Sequence, residues 1–248
     1  MRRRVSIVGA GPGDPELLTL KGRRLLDDAD VVVYAGSLIN PALLKGLNAE
    51  LFDSAKLNLD EIIEIMRDKA KKGKKVVRLH SGDPSIYGAI KEQMKRLDSL
   101  DIPYEVVPGV SSAVAAAAAL KEEFTLPEVT QTLIITRLGG RTPVPEKEAL
   151  RRLSEIRAST LIFLSVGMID RVVSELLNGY PEDTPVAVIE RVTWPEERII
   201  RGTLKDIAVK VRDAGIEKTA IIAVGDFMRG LKRESRLYDK EFSHGYRK

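Results

Sequence analysis

The chain has 248 residues, with 40 Lys/Arg against 36 Asp/Glu, 44% hydrophobic and 31% charged residues, no cysteine and two histidines. This composition fits a soluble globular protein of one large or two modest domains, and it excludes disulfides, thiolate metal sites and a thiol nucleophile. Having only His80 and His244 also argues against a multi-histidine metal centre, and no metal is expected. The net charge of +4 resides in the tail, since Arg229–Lys248 carries seven basic and three acidic residues and the other 228 balance at 33 against 33. A nucleic-acid partner, which needs basic residues clustered on the folded body, is not expected. The opening MRRRVSIVGAG is basic, but its apolar run breaks too early for a signal peptide, and no stretch reaches membrane-spanning length. A cytoplasmic protein with no membrane partner is the expectation.

In chain order, Arg4–Val8 reads as a strand, Pro15–Asp27 as a helix and Asp30–Tyr34 as a second strand. Asp60–Lys72 places Ile62, Ile63, Ile65, Met66 and Ala70 at helical spacing. Lys75–His80 is a strand, Ser85–Leu97 a helix and Tyr104–Val107 a strand. This alternation predicts a mostly parallel sheet with helices on its faces. Beyond residues 110–130 a second series begins: strands at Gln131–Arg137, Thr160–Ser165, Val186–Arg191, Glu197–Gly202 and Ala220–Val224, and helices at Glu146–Ile156, Ile169–Asn178 and Leu204–Asp213. The short turn between Val186–Arg191 and Glu197–Gly202 predicts an antiparallel hairpin, hence a mixed sheet. The expected fold is therefore two α/β domains, 1–115 with the parallel sheet and 116–230 with the mixed one, followed by a basic tail over 231–248. The active-site cleft is expected between the domains.

Ligands of open α/β sheets bind beyond the carboxyl ends of the parallel strands. After the first strand comes GAGPGDPELLTLKG. A dinucleotide fingerprint would need glycine at position 14, which is Asp14, and an acidic residue after the second strand, which ends Tyr34-Ala35-Gly36. A nicotinamide cofactor is disfavoured. After the third strand comes Ser81-Gly82-Asp83-Pro84. Here Gly82 permits close backbone approach, and Asp83 either caps a helix opened by Pro84 or faces a ligand. Val107-Pro108-Gly109-Val110-Ser111-Ser112 repeats the device. Three strands thus end in glycine turns with small side chains, and no lysine completes a triphosphate loop.

These motifs in this order, VGAGPGDPELLTLKG, SGDPSIYG, PGVSSA, TLIFLS and TWPEE, resemble the tetrapyrrole methylases over about Arg4–Phe227. Within that family YAGSLI, EVTQTLIITR and GRTPVPE are most similar to the branch that methylates precorrin-4, or its cobalt complex, at C-11. The resemblance implies an S-adenosyl-L-methionine cofactor, a small-molecule tetrapyrrole acceptor and a homodimer. It implies that Pro12, Ser81, Gly82, Asp83, Ile86, Ser111, Ser112, Leu164, Ser165, Val192 and Thr193 line the cofactor site. Val192 stands where relatives often have Gly or Ala, so a contact there would be through main chain. Ala35 stands where methylases of the earlier porphyrinogen carry Asp, which favours a later-step enzyme.

Methyl transfer from a sulfonium is a matter of alignment, so no catalytic side chain is assigned. A carboxylate-rich acceptor calls for cations at the rim. Lys21, Arg137, Arg141 and Arg191 are the candidates, each otherwise an ordinary solvated charge. Trp194 either stacks on the ring or fills the domain junction. His80 is either a hydrogen-bonded structural residue or an imidazole serving the site. The same fold could serve another corrin position, uroporphyrinogen III, a modified histidine of a translation factor or ribosomal RNA. A non-catalytic nucleotide-binding module is the reading from another class.

Overall fold

The computed structural model describes residues 5–230 and Ser243; the rest of the expected tail at 231–248, and Arg4 at the head of the expected first strand, lie outside the described residues. The chain forms two units. One runs to Ala115 and includes Thr193–Pro195; the other comprises Ala116–Val192 and resumes at Glu196.

The first unit holds a five-stranded sheet covered on both faces, where continuous apolar runs such as those of its inner strands are favoured. The strands are β1 (Val5–Gly9), β2 (Val31–Tyr34), β3 (Glu50–Asp53), β4 (Val76–His80) and β5 (Tyr104–Val107). They lie in the order β3-β2-β4-β1-β5, and every pairing is parallel. The helices are α1 (Leu20–Asp27), α2 (Leu59–Lys71) and α3 (Ile90–Ser99). Leu26 of α1 packs with Val8, Val32, Val77 and Leu79 on one face. Ile62, Ile63 and Met66 of α2 and Leu97 of α3 pack with Val5, Ile7, Val31 and Val33 on the other. Each such buried side chain stabilises the fold by roughly 1.5–3 kcal/mol.

The connection leaving β1 crosses to β2 beyond β4, and the one leaving β4 crosses to β5 beyond β1. The two run in opposite directions over opposite faces, so the crevice where such sheets take ligands opens between the ends of β1 and β4. A further helix, α4 (Ser112–Leu120), follows β5.

The second unit holds β6 (Leu133–Arg137), α5 (Leu150–Ser154), β7 (Ser159–Phe163), α6 (Ile169–Leu176), β8 (Pro185–Glu190), β9 (Arg198–Thr203), α7 (Ile207–Asp213) and β10 (Ala220–Val224). The strand order is β6-β7-β10-β8-β9. The sheet is mixed, as expected: β6 and β7 are parallel, while β10 runs antiparallel to β7 and β8. The expected hairpin is β8–β9. No helix among the described residues is long and apolar enough to cross a membrane.

Several boundaries differ from expectation. Strand β3 has no counterpart in the sequence reading, because it is an edge strand with mostly exposed residues, specified by its ladder to β2 and not by its own pattern. The helix expected over Pro15–Asp27 splits into a 3-10 turn at Pro15–Leu17 and α1, which Thr19 caps by accepting the Gly22 N–H at 3.1 Å. The helix expected from Ser85 starts only at Ile90, because Tyr87 and Ala89 take left-handed φ values of 54° and 49°. The helix expected over Glu146–Ile156 is likewise a 3-10 turn at Glu146–Glu148 followed by α5. Strand β8 ends before Arg191, whose φ is 47°.

Candidate active site at the strand exits

At the ends of β4, β1 and β5 three glycine-bearing loops are bonded to one another. Ala10 donates its N–H to the His80 carbonyl at 2.7 Å, and Gly11 and Gly82 exchange backbone hydrogen bonds at 3.3 and 2.8 Å. The contacts are backbone to backbone. A Cβ on Gly9 would lie 2.6 Å from Gly109 N and Gly82 O, and one on Gly109 would lie 2.2 Å from Gly82 O. Only glycine permits this approach.

Asp83 connects the second loop to the third. Its Oδ2 accepts the Gly109 N–H at 2.9 Å, and its Oδ1 accepts the Ser85 N–H at 2.8 Å as well as the Ser85 hydroxyl. Burial alone would raise its carboxyl pKa, but the bonds from Ser85 and Gly109 prevail and hold it below the usual range. Asp83 is thus not the cap of α3, and its carboxylate is engaged within the protein. Gly82 is different from its neighbours. With φ at +58°, its missing Cβ would meet nothing nearer than Ser111 Cα and Ser112 N, both at 3.8 Å. Beside it stand Ser111, which caps α4 by accepting the Ala113 N–H at 3.2 Å, and Ser112 in the first helical turn. Ser81 and Ile86 are half-buried along the same turn. Open space at a glycine, hydroxyls and a helix N-terminus together suit a ligand with hydroxyl, amino and carboxylate groups, so the residues fit S-adenosylmethionine.

The loop after β1 is held from outside the sheet. Thr193 Oγ1 accepts the Asp14 N–H at 2.9 Å, the Trp194 indole Nε1–H donates to the Pro12 carbonyl at 2.9 Å, and Asn40 Nδ2 donates to the Gly13 carbonyl at 2.9 Å. Trp194 therefore has a role that neither sequence option described. Lys21 is ion-paired with Glu105 at 2.6 Å.

Under the β4 exit lies a buried polar group. Arg78, mid-strand and 5% exposed, donates to the Val33 carbonyl, Ser54 Oγ and Gln93 Oε1 at 3.0–3.2 Å. Burial lowers its pKa to about 10. Gln93 Nε2 lies 3.5 Å from His80 Nε2. Burial, and then the Arg78 charge, lowers the His80 pKa to about 4, so this imidazole is neutral at neutral pH and belongs to a structural network. The single charged residue in VVRLH was the sequence signal for that network; Asn40 and Gly109 gave no comparable signal of their partners.

In the second unit, Leu164 follows β7 with φ at 56° and is 69% exposed, an uncommon pairing of strained backbone and exposed apolar side chain. Ser165 is buried, donating to the Phe163 carbonyl at 2.7 Å and accepting the Leu138 N–H at 2.9 Å. Val192 is buried. The Arg137 guanidinium donates to the Thr142 and Pro143 carbonyls at 3.1 and 2.8 Å, bracing the loop that carries Arg141, which is exposed. Arg191 faces Glu196 at 3.9 Å.

A family model of tetrapyrrole (corrin/porphyrin) methylases matches residues 4–208. The chain is 58% identical to the cobalt-precorrin-4 C(11)-methyltransferase of Methanocaldococcus jannaschii, covering 99% of this chain and 96% of that one. It is 48% identical to the precorrin-4 C(11)-methyltransferase of Pseudomonas aeruginosa, with 98% of each covered. Among solved structures it is similar to a cobalt precorrin-4 methyltransferase, with a TM-score of 0.88 at 46% identity, covering 91% of this chain and 95% of that one. It is also similar to the uroporphyrin-III C-methyltransferase of Thermus thermophilus in complex with S-adenosylhomocysteine, with a TM-score of 0.76 at 30% identity, covering 91% and 93%. The chain belongs to the tetrapyrrole methylase family.

Proposed function

We propose that this protein is an S-adenosyl-L-methionine-dependent methyltransferase that methylates C-11 of cobalt-precorrin-4 or precorrin-4 in cobalamin biosynthesis. The observation that carries this reading is the 58% identity to a cobalt-precorrin-4 C(11)-methyltransferase over 99% of the chain. The stitched strand exits supply its physical basis.

The cofactor, when bound, supplies a methyl group already activated on a sulfonium. The protein's task is alignment, and the residues that would hold the cofactor are Pro12, Ser81–Asp83, Ile86, Ser111 and Ser112, with Thr193 acting on the same loops. Their loops are bonded to one another by hydrogen bonds within the protein, which restrains them and fixes the geometry of approach. Leu164, Ser165 and Val192 belong to the same proposed set. Arg141 offers a bidentate partner for an acceptor carboxylate; Lys21, Arg137 and Arg191 are candidates that would first have to leave or share their present partners. A homodimer and a cytoplasmic location complete the reading, the first checked by sedimentation.

Calorimetry tests the class. S-adenosylhomocysteine should bind with a stoichiometry of one per chain, and NAD should not bind. NAD binding without S-adenosylhomocysteine binding would overturn it.

A further inference from the structure

Three consecutive residues, Thr193–Pro195, cluster with the first unit although the chain on either side belongs to the second. The first of them is strained. Thr193 has φ at +67°, a value at which a β-branched residue is an outlier. An outlier of that kind persists only where its surroundings over-determine it, and such residues gather at functional sites.

What holds Thr193 is the loop after β1. Its hydroxyl accepts the Asp14 N–H at 2.9 Å. The next residue, Trp194, donates its indole N–H to the Pro12 carbonyl at 2.9 Å. Its ring fills the space where Gly13 would carry a side chain, since a Cβ there would lie 2.0 Å from Trp194 Cδ1. On the loop's other flank, buried Asn40 takes the Gly13 carbonyl, and Gly82 takes both polar groups of Gly11. The four residues Gly11–Asp14 are therefore each fixed by a partner distant in sequence, and two of those partners sit side by side in one strained turn.

We infer that Thr193 and Trp194 are positioning residues, which hold Gly11–Asp14 in its ligand-ready form through the loop's main chain. This inference rests on the proposed S-adenosylmethionine site. It differs from the role the family resemblance implies for Thr193, because its hydroxyl is directed at the protein's own loop.

The test uses the full chain and four variants. Thr193→Val keeps the shape and branching but removes the acceptor; Thr193→Ser keeps the acceptor. Trp194→Phe keeps most of the ring but removes the donor, and Gly13→Ala pushes the ring away. S-adenosylhomocysteine affinity is measured by calorimetry, melting temperature by scanning, and amide exchange at Gly11, Gly13 and Asp14 by mass spectrometry or NMR. Thr193→Val and Trp194→Phe should weaken binding about five- to tenfold, the scale of one lost hydrogen bond. They should speed exchange at Asp14 while exchange in the β1 and β4 ladders stays slow. Thr193→Ser should bind like the parent. If Thr193→Val and Trp194→Phe bind like the parent, or if Thr193→Ser fails as Thr193→Val does, the inference is wrong. A parent protein that does not bind S-adenosylhomocysteine would instead overturn the proposed function, with the exchange at Asp14 still deciding whether the turn holds the loop.

Discussion

The carboxylate of Asp83 accepts the backbone N–H of Gly109 across 26 residues of sequence, at 2.9 Å. Through this bond the exit of β4 fixes the exit of β5, while the other oxygen fixes Ser85. Asp83→Ala should therefore leave the Gly109 N–H short of a partner and cost about 1–3 kcal/mol of stability. It should also weaken S-adenosylhomocysteine binding about tenfold, since the Ser111–Ser112 turn follows Gly109 directly. Chemical denaturation and calorimetry on the same preparation check both. Lost stability with unchanged affinity would reduce Asp83 to a turn residue.

The glycines of the site should separate into two groups. Gly109→Ala drives a Cβ to 2.2 Å from the Gly82 carbonyl and should destabilise by about 1–3 kcal/mol or more. Gly82→Ala meets no protein atom closer than 3.8 Å, so its penalty is the left-handed φ, about 1–2 kcal/mol. Its methyl group would occupy the space assigned to the ligand. A folded Gly82→Ala protein should thus lose cofactor affinity out of proportion to its stability. Normal titration by S-adenosylhomocysteine would count against the placement of the ligand.

His80 should impose a pH dependence on stability. Its pKa is about 4 in the folded protein against about 6.5 unfolded. Between these values the unfolded chain holds a proton that the native state does not, so stability is full above pH 6.5 and is lost as pH falls towards 4. Between pH 7 and 5 this contributes a loss of about 2 kcal/mol. His80→Asn should remove that part of the slope, measured by urea denaturation at the two pH values. An unchanged slope would contradict the burial argument.

Among the arginines expected to meet the acceptor, Arg141 is the most available. Arg141→Ala should raise the KM for the tetrapyrrole about three- to tenfold at low salt and less at high salt, where exposed charges are screened. It should leave S-adenosylhomocysteine affinity unchanged. Arg137→Ala should act differently, loosening the loop its guanidinium braces and so lowering stability. A KM insensitive to Arg141 at any salt would remove this residue from the acceptor site.

The two sheets and the loops that matter were legible in the sequence because buried strands leave unbroken runs such as VVRLH and because glycine turns repeat after them. Position 83 stood out for the same reason. Its partner did not: a bond to a backbone N–H at Gly109 leaves no trace in residue type. Strand β3 escaped because an exposed edge strand carries little apolar pattern. Pro84 reads as a helix opener, yet α3 starts only at Ile90, because Tyr87 and Ala89 take left-handed φ values although neither is glycine. Trp194 was visible as a lone tryptophan, but its place against Gly13 depends on chain contacts spanning much of the sequence.

Methyl transfer to a single ring position is read out by product analysis. The protein is incubated with S-adenosylmethionine carrying a ¹³C-labelled methyl group and with either cobalt-precorrin-4 or precorrin-4, and the product is examined by NMR. One labelled methyl at C-11, formed in step with S-adenosylhomocysteine, is the result predicted. A labelled methyl at another ring carbon, or none on either substrate while S-adenosylhomocysteine binds normally, would contradict it.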